Sequence, residues 1–323
     1  MKPSLNSLRP HLAGTLDRTH LRTPVLRGKV RDLYPLGEEV LFICTDRLTG
    51  FDRFLTRIPL KGSILNQTSS WWFSQTEHLI PNHFLHSPAP AATVARRCEM
   101  LPLEFVVRGY LTGTTDTSLW THYAKGIRRY CDQSIPDGLR KNDPLPVPIL
   151  TPTTKSKDHD RPIGEAEILS SGLISPADWE VASSAALALF RFGSEVAAER
   201  GLVLVDTKYE FGKLPDGTII LADEIHTPDS SRYWIASTLE ERLSQGLEPE
   251  NIDKEIIRLW YREHCDPYVD VNLPKLPDEL ILELSARYLQ LFAMITGQPF
   301  PLPAPTQDPE AVLAATLRAQ NIL

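Results

Sequence analysis

Residues 202–225 read LVLVDTKYEFGKLPDGTIILADEI. This stretch carries more information about the fold than any other single segment of the chain. Two β-rich runs flank the tripeptide PDG at 215–217, which is typical of a turn, so the stretch predicts a β-hairpin. Because alternate side chains of a strand share one face, Asp206, Lys208 and Glu210 are predicted to project together. The hairpin is therefore predicted to present a row of charged groups on one face.

The register of this hairpin depends on its turn. If Asp216 and Gly217 form a two-residue turn, as Asp-Gly favours, Glu210 lies opposite Asp223 with Cβ atoms roughly 5 Å apart. Opposed carboxylates destabilise a sheet unless something neutralises them, and Mg²⁺ commonly binds one or two carboxylates together with nucleotide phosphates. The commoner alternative is that lysines or arginines pair with these carboxylates on a solvated face. A longer loop, or a bulge at Gly212, would also change the register.

Composition is that of an ordinary globular protein. The 323 residues carry 34 lysines and arginines against 41 aspartates and glutamates, a formal net charge of −7. A general nucleic-acid binder usually has a basic face, so no nucleic-acid partner is expected. Four separated cysteines without C-x-x-C spacing predict no zinc site and indicate a reducing compartment. The first residues lack a signal-peptide core and no run of about 18 apolar residues occurs, so we expect a cytoplasmic protein without a membrane span.

A second hairpin is predicted over residues 25–45, where VLRGKVRDLY and VLFICT are two β-rich runs around LGEE. Lys29 and Arg31 are predicted to share one face of the first strand, beside Gly28, which would let a ligand approach the backbone. Such cations can neutralise nucleotide phosphates. Neither a Walker sequence nor a G-x-G-x-x-G strand–helix junction occurs, and G-K-x-R alone is more often a solvated edge strand.

The remaining pattern predicts strands first and helices later. Residues 47–62 are predicted as a loop, 63–80 as a helix ended by Pro81, 104–110 as a strand, and 111–174 as irregular. A helix is predicted from Ser175, which is a good cap before a proline, to Gly201. Further helices are predicted over 253–265, 278–295 and 309–321. This order favours an α+β protein with an antiparallel N-terminal β lobe over residues 1–104 and a larger lobe with C-terminal helices over 105–323.

Seven segments in a fixed order are more specific than any single pattern. They are GKVRDLY (28–34), TDRLTGFD (45–52), KGSILNQTSSWWF (61–73), MLPLEFVVRGYLTG (100–113), TPTTK (151–155), LVDTKYEFG (204–212) and DEIHTPDSSRYW (223–234). Over about residues 22–265 the chain resembles the SAICAR synthetases, most closely their longer form. The resemblance implies a two-lobed ATP-grasp or kinase-like arrangement with nucleotide between the lobes.

The resemblance also implies an activity and its partners. Enzymes of this family use ATP and Mg²⁺ to join 5-amino-1-(5-phospho-D-ribosyl)imidazole-4-carboxylate to the amine of L-aspartate, giving SAICAR, ADP and phosphate in purine biosynthesis. A carboxylate is a poor acyl donor until it is phosphorylated, so such a site must gather several anions without mutual repulsion. Electrostatic positioning is the main device in phosphoryl transfer. We expect a monomer or a small homo-oligomer.

Roles for individual residues follow from the same resemblance. The residues similar to nucleotide contacts are Gly28, Lys29, Arg31, Arg97, Met100 and Glu104. Glu210 and Asp223 resemble the Mg²⁺ carboxylates, and Lys208 resembles a lysine near the transferred phosphoryl group, oriented by Asp206. The residues that resemble ribonucleotide contacts are Arg108, Thr114, Ser230, Ser231 and Arg232. Lys155 and Asp160 belong to a loop that resembles the aspartate site.

The chain departs from the family pattern at two places, and two alternative functions stay open. The family commonly has serine where this chain has Thr114, and acidic or amide residues where it has Arg161-Pro162. One alternative is a kinase, although a protein kinase should carry H-R-D and D-F-G segments, which this chain lacks. The other is a nucleotide-binding module without catalysis, which the departures favour and the retention of Lys208, Glu210 and Asp223 opposes.

Overall fold

The computed structural model describes residues 2–51, 53–115, 118–155 and 161–323, which form an α+β protein with two main antiparallel sheets. Its first elements are helix α1 (Leu5–Leu8), a 3-10 turn (Arg9–His11), strands β1 (Leu26–Arg27), β2 (Arg31–Leu36), β3 (Glu39–Cys44), β4 (Arg47–Gly50) and β5 (Arg53–Arg57), helix α2 (Lys61–Thr76), and strands β6 (Phe84–Ala89), β7 (Ala92–Arg96) and β8 (Glu99–Met100).

The central part of the chain adds most of the second sheet. Its elements are strand β9 (Leu103–Tyr110), helix α3 (Leu119–Ala124), strands β10 (Arg129–Tyr130), β11 (Gln133–Ser134), β12 (Pro144–Leu150) and β13 (Thr153–Thr154), helices α4 (Glu165–Ser170) and α5 (Pro176–Glu199), and strands β14 (Leu202–Lys213), β15 (Ile219–Ala222) and β16 (Ser231–Ile235). Helices α6 (Ala236–Ser244), α7 (Glu255–His264), α8 (Asp278–Thr296) and α9 (Pro309–Ala319) close the chain.

The N-terminal sheet has the order β1-β2-β3-β7-β6. The predicted hairpin is confirmed, because β2 pairs antiparallel with β3 and Leu36 lies opposite Glu39. The predicted single first strand is wrong. It breaks into β1 and β2 around a turn at residues 28–31, which is closed by a hydrogen bond from Gly28 N to Arg31 O of 2.8 Å. Lys29 therefore lies in a turn rather than beside Arg31 on one strand face.

The second sheet has the order β12-β9-β14-β15, with β13 also on β9 and with β8 and β16 also on β14. Strand β14 spans twelve residues and pairs with β8, β9, β15 and β16. Phe105 and Tyr209 are buried in the core that α5 covers. The alternate residues of β9 and β14, which include Arg108 and Lys208, lie on the other face. The predicted alternation along β14 is thus confirmed.

The hairpin register differs from the prediction by one residue. Leu214 N donates to Thr218 O at 2.9 Å and Gly217 N donates to Leu214 O at 2.9 Å, so the loop has three residues, and Gly217 takes a positive φ of 91°. Glu210 consequently pairs with Ala222, not with Asp223. Pro215 explains the difference, because proline favours the second position of a turn that begins at Leu214.

Other boundaries also differ from the predictions. Residues 47–62, predicted as a loop, contain the β4–β5 hairpin and the first turn of α2, and residues 111–174 contain several short helices and strands. Helix α6 was not predicted, whereas the three C-terminal helices are confirmed. Strands β10, β11 and β13 were missed because two residues each show no periodicity, and β12 was missed because its three prolines are unusual in a strand.

Helix α5 forms as predicted. Ser175 Oγ accepts a hydrogen bond from Asp178 N at 3.1 Å, and Gly201, with φ of 72°, follows its end. Among the described residues it is the one helix long and apolar enough to be compatible with a membrane span by length and composition. It packs against β14 and β9, which is the usual position of a core helix.

Contacts between distant segments link the two ends of the chain. Leu313 and Leu317 of α9 are buried with Tyr34, Leu41 and Val94 of the N-terminal sheet. Strand β9 runs through residue 104, where the boundary between the lobes was predicted. The division into 1–104 and 105–323 stays a prediction.

Candidate active site

A cleft of about 650 Å³ lies between the 28–31 turn and the polar face of the second sheet. The turn contributes Gly28, Lys29 and Arg31 to one wall. Among the charged residues of the opposite wall are four that we call the Lys208 cluster: Glu104, Lys208, Glu210 and Asp223. Several predicted nucleotide, catalytic and metal residues therefore lie around one space.

Lys208 is the centre of its cluster. Its Nζ lies 3.2 Å from Glu104 Oε1 and 3.6 Å from Asp223 Oδ2, and it also donates a hydrogen bond to Glu210 Oε1. Burial alone would lower the pKa of Lys208, but Glu210, Asp223 and Glu104 outweigh it and raise the pKa well above its usual value. Lys208 is thus a permanent cation at the floor of the cleft.

Glu210 and Asp223 lie together even though they are not register partners. Asp223 follows the end of β15 with a positive φ of 62°. In a continued strand its side chain would point away from the face that Glu210 and Ala222 share. The left-handed backbone turns it back into the cleft, where both carboxylates contact Lys208.

Further cations compensate these carboxylates across the cleft. Arg31 Nη1 lies 2.5 Å from Asp223 Oδ1, and Arg31 Nη2 lies 2.9 Å from Glu224 Oε2. Lys155 forms an ion pair with Glu210. Burial would raise the pKa of Asp223, but Arg31 and Lys208 hold it well below its usual range. The predicted repulsion between Glu210 and Asp223 is therefore neutralised by side chains in the protein itself.

The donor set of Glu210 and Asp223 fits Mg²⁺. Both offer carboxylate oxygens, which this hard cation prefers, and both line the cleft. No group of three or more histidine, cysteine, aspartate or glutamate side chains arranged to hold a metal occurs within the described residues. An ion here would need oxygen ligands from a bound nucleotide, and it would displace Lys155 and Lys208 from the carboxylates.

A second group of charges, the Asp206 cluster, follows on the same face of the sheet and consists of Arg108, Asp206 and Arg232. Asp206 Oδ2 lies 3.0 Å from Arg232 Nη1 and 3.8 Å from Arg108 Nη1. Arg108 Nε also donates to Thr151 Oγ1 at 2.9 Å. Two arginines share one carboxylate, so the cluster keeps positive charge with which it can bind an anion.

The predicted hydroxyl residues are engaged in local contacts. Ser231 Oγ lies 2.7 Å from Thr207 Oγ1 and is buried, while Ser230 Oγ accepts from Thr227 N at 3.2 Å. Thr114 Oγ1 donates to Glu255 Oε1 at 3.0 Å. Ser230 and Ser231 directly precede Arg232 in the chain, and Thr114 follows the end of β9, the strand that carries Arg108.

Some predicted residues lie elsewhere. Arg97 lines a separate pocket of about 630 Å³ together with Lys213. Met100 is 39% exposed and pairs with Gly212 of β14. Neither lines the main cleft, so the nucleotide role of this segment stays a prediction. Asp160 lies outside the described residues.

Sequence reasoning missed a buried network beside the cleft. Asp229 Oδ2 lies 2.7 Å from Lys61 Nζ, and Asp229 Oδ1 accepts from Tyr288 OH at 2.8 Å and lies 3.6 Å from Lys254 Nζ. Burial would raise the pKa of Asp229, but Lys254 and Lys61 bring it well below its usual range. Its position in the DEIHTPDSSRYW segment could have indicated it, but the resemblance assigned roles there only to Asp223, Ser230, Ser231 and Arg232.

The sequence is similar to those of one protein family. The SAICAR synthetase family model matches residues 24–274. A phosphoribosylaminoimidazole-succinocarboxamide synthase from Legionella pneumophila (strain Lens) is 54% identical over 285 residues, which cover 87% of this chain and 91% of that protein. The chloroplastic protein of that name from Arabidopsis thaliana is 52% identical over 311 residues, 94% of this chain and 75% of that protein.

Solved structures show the same architecture. The SAICAR synthase from Saccharomyces cerevisiae complexed with SAICAR has a TM-score of 0.75 at 27% identity and covers 89% of this chain and 100% of that chain. A SAICAR synthetase in complex with ADP has a TM-score of 0.66 at 26% identity, and the match covers 86% of this chain and 100% of that chain. The predicted ATP-grasp-like α+β fold is confirmed. The chain belongs to the SAICAR synthetase family.

Proposed function

We propose that this protein is the ATP-dependent ligase that joins the carboxylate of 5-amino-1-(5-phospho-D-ribosyl)imidazole-4-carboxylate to the amine of L-aspartate, giving SAICAR, ADP and phosphate in purine biosynthesis. The observation that carries the proposal is the placement of two charged clusters side by side on one face of β14. The Lys208 cluster suits nucleotide phosphates, and the Asp206 cluster suits an anionic second substrate. Two solved relatives, one complexed with SAICAR and one in complex with ADP, support this assignment.

The nucleotide is assigned to the cleft beneath the 28–31 turn. Lys29 and Arg31 would contact its phosphates, with Gly28 and Glu104 nearby. Glu210 and Asp223 would hold Mg²⁺, which would neutralise charge on the phosphates when bound. Arg31, released from Asp223 by the ion, would be free to bind phosphate oxygens.

Lys208 would act where the phosphoryl group is transferred. The carboxylate oxygen of the ribonucleotide attacks the γ-phosphorus, so a new P–O bond forms as the bond to ADP breaks. The aspartate amine then forms the C–N bond, inorganic phosphate leaves with the electrons of the C–O bond, and the amine gives up a proton. Lys208, whose ammonium group lies at the floor of the cleft, would stabilise the negative oxygens during both steps.

The second substrates are assigned to the region around Asp206. Arg108 and Arg232 would bind the ribonucleotide, and Asp206 holds both guanidinium groups in place. Hydroxyl groups that would assist them are those of Thr114, Ser230 and Ser231. The loop that carries Lys155 and Asp160 is assigned to L-aspartate.

The cellular setting is also a proposal. We infer that the protein acts in the cytoplasm as a monomer or a small homo-oligomer, without nucleic acid or membrane as a partner. The four cysteines are free thiols, which suits a reducing compartment.

Phosphate release from ATP tests the ligase directly. With ribonucleotide, L-aspartate and Mg²⁺ all present, release should be fast and matched by SAICAR, detected by its absorbance or mass. Omitting either substrate in turn should remove the SAICAR product. ATP cleavage at the full rate when either substrate is omitted would instead identify a kinase or a simple ATPase. ATP binding without any cleavage would identify a binding module.

A further inference from the structure

One buried arginine donates hydrogen bonds to the backbone of the 28–31 turn. Arg47 is 8% exposed, and its Nη2 donates to Gly28 O at 3.1 Å and to Arg31 O at 3.3 Å. Its Nε donates to Lys29 O at 3.1 Å. A single guanidinium group thus binds three of the four carbonyl oxygens of the turn.

The fourth carbonyl is bound by a residue two positions earlier. Thr45 N and Thr45 Oγ1 donate to Val30 O at 2.9 Å and 2.8 Å. All four carbonyl oxygens of the turn therefore face the 45–47 segment and not the cleft. This segment is the start of TDRLTGFD, whose role the proposed reaction leaves unexplained.

Arg47 is itself fixed in position by other groups. Its Nη2 lies 2.8 Å from Asp32 Oδ1, which is fully buried, and its Nη1 donates to Asp17 O. It lines a different pocket from the cleft, and Arg31 and Lys29 stand between it and the Lys208 cluster. Arg47 does not line the cleft itself, and its contacts with the carbonyl oxygens of the turn give it a route by which it would act on a nucleotide there.

Electrostatics explains why this orientation matters. Carbonyl oxygens carry partial negative charge, so a turn that aimed them at a triphosphate would repel it. Holding the oxygens on the far side leaves the cationic side chains as the groups that face the phosphates. The planar fork of arginine can reach several carbonyls at once, whereas the ammonium group of lysine acts as a compact point charge.

We propose that Arg47, assisted by Thr45, is the positioning residue that orients the 28–31 turn for the phosphates of the nucleotide. The inference rests on the proposed function, because it takes the cleft to be the nucleotide site. It predicts that removing the guanidinium group of Arg47 weakens nucleotide binding selectively. Binding of the ribonucleotide and of L-aspartate should not change.

The test measures ADP binding by calorimetry and the KM of each substrate for two variants. Arg47→Lys keeps the charge and loses the fork, and we expect the Kd for ADP and the KM for ATP to rise about tenfold or more. The KM values for ribonucleotide and L-aspartate should stay within about twofold of wild type. Thr45→Val removes only the hydroxyl donor and should raise the same two nucleotide constants by about threefold.

Arg287→Lys is the matched control. Arg287 also donates to a backbone carbonyl, Asn251 O at 2.8 Å, and pairs with Glu283, but it lies outside the turn. It should lower the melting temperature without changing ADP binding. If Arg47→Lys lowered stability alone, or raised all three KM values equally, the positioning role would be refuted. If Arg47→Lys does not fold, the Thr45→Val result decides. Wild-type protein that binds ADP but makes no SAICAR would overturn the proposed function and leave this inference intact.

Discussion

At the scale of single residues, each carboxylate of the Lys208 cluster depends on cations that come from distant parts of the chain. Lys155 and Lys208 pair with Glu210, and Arg31 and Lys208 pair with Asp223. These ion pairs compensate the charge of both carboxylates within the protein itself. Removing one carboxylate would therefore leave a partly buried cation with less compensation, rather than relieve a repulsion.

The first prediction follows from this balance. Glu210→Gln should destabilise the nucleotide-free protein by about 1–3 kcal/mol, because Lys208 loses a charged partner. The same variant should raise the Mg²⁺ concentration needed for half-maximal activity by about tenfold or more, since an oxygen ligand loses its charge. Chemical denaturation and a Mg²⁺ titration at fixed ATP measure the two effects.

Asp223→Asn should behave in the same way, because Asp223 pairs with both Arg31 and Lys208. Glu250→Gln is the control, since Glu250 is exposed and lies outside the cleft. Loss of stability with an unchanged Mg²⁺ requirement would argue that these carboxylates form ion pairs only.

Arg108 gives a second prediction at this scale. Arg108→Ala should raise the KM for the ribonucleotide by roughly tenfold to a hundredfold, which corresponds to a charge-assisted contact of about 1.5–3 kcal/mol. The KM for ATP should change by less than about threefold, because Arg108 belongs to the Asp206 cluster and not to the cleft wall. Steady-state kinetics with each substrate varied in turn measures both. An equal rise for ATP and ribonucleotide would contradict the assignment.

At the scale of elements, the buried carboxylate of Asp229 contacts side chains from two helices and so fixes the position of one helix relative to the other. Lys61 is the first residue of α2 and is fully buried, and Tyr288 lies in α8. Asp229 lies in the segment between β15 and β16. One carboxylate thus fixes the start of α2 against α8 and against the edge of the cleft.

The third prediction concerns this junction. Lys61→Met should destabilise the protein by about 3–5 kcal/mol, because it leaves the buried Asp229 without its nearest cation. Tyr288→Phe should cost less, about 1.5 kcal/mol, since only one hydrogen bond to the carboxylate is lost. Urea denaturation measures both free energies of unfolding.

Lys141→Met is the control for the loss of a lysine ion pair. Lys141 pairs with Glu248, which is 57% exposed, so its removal should change the free energy by no more than about 0.5 kcal/mol. Equal changes in the free energy of unfolding for Lys61→Met and Lys141→Met would show that the buried ion pair stabilises the protein no more than the exposed one.

At the scale of the whole molecule, His226 lies where several distant elements meet. Its ring contacts Trp72 of α2 with centroids 4.6 Å apart, and its Nε2 lies 2.5 Å from the hydroxyl of Tyr209 on β14. A Cβ added at Gly193 of α5 would lie 2.3 Å from the ring, so only glycine fits there. Among the described residues His226 Nδ1 has no hydrogen-bond partner.

The fourth prediction is a pH dependence of stability. Burial lowers the pKa of His226 to about 3, whereas its ordinary value is 6.5. Between these values the unfolded chain binds a proton that the folded protein does not, so stability falls as the pH falls below 6.5. Between pH 7 and pH 5 this one group should cost about 2 kcal/mol, and His226→Leu should remove that part of the slope.

Urea denaturation at several pH values measures the slope for both proteins. Burial raises the pKa values of Asp46 and Asp253 to about 6, which gives a slope of opposite sign, but both groups are present in each protein and cancel in the comparison. His86→Leu, at an exposed position, is the control for the loss of an imidazole. A His226→Leu slope identical to that of wild type would show that folding does not change the pKa of His226.

The sequence by itself determined the features that depend on neighbouring residues. The alternation along β14, the cap of α5 at Ser175 and the cap of α9 at Asp308 follow from side-chain periodicity and from hydrogen bonds that span three residues. The seven ordered segments also identify the family, and with it the residues of the 28–31 turn and of the Lys208 cluster that line the cleft. These features need no knowledge of how distant segments pack.

Only the tertiary structure decided the geometry that distant residues impose. The start of α2 is capped by Asp46, whose Oδ1 accepts from Gly62 N at 2.9 Å, and no local residue signals it. The left-handed turn at Asp223 brings this carboxylate to Glu210, where a one-residue register shift would have separated them. Arg31 and Asp223, 192 residues apart, pair because two sheets meet at the cleft. Such contacts form only when packing brings separate elements together, so no local pattern contains them.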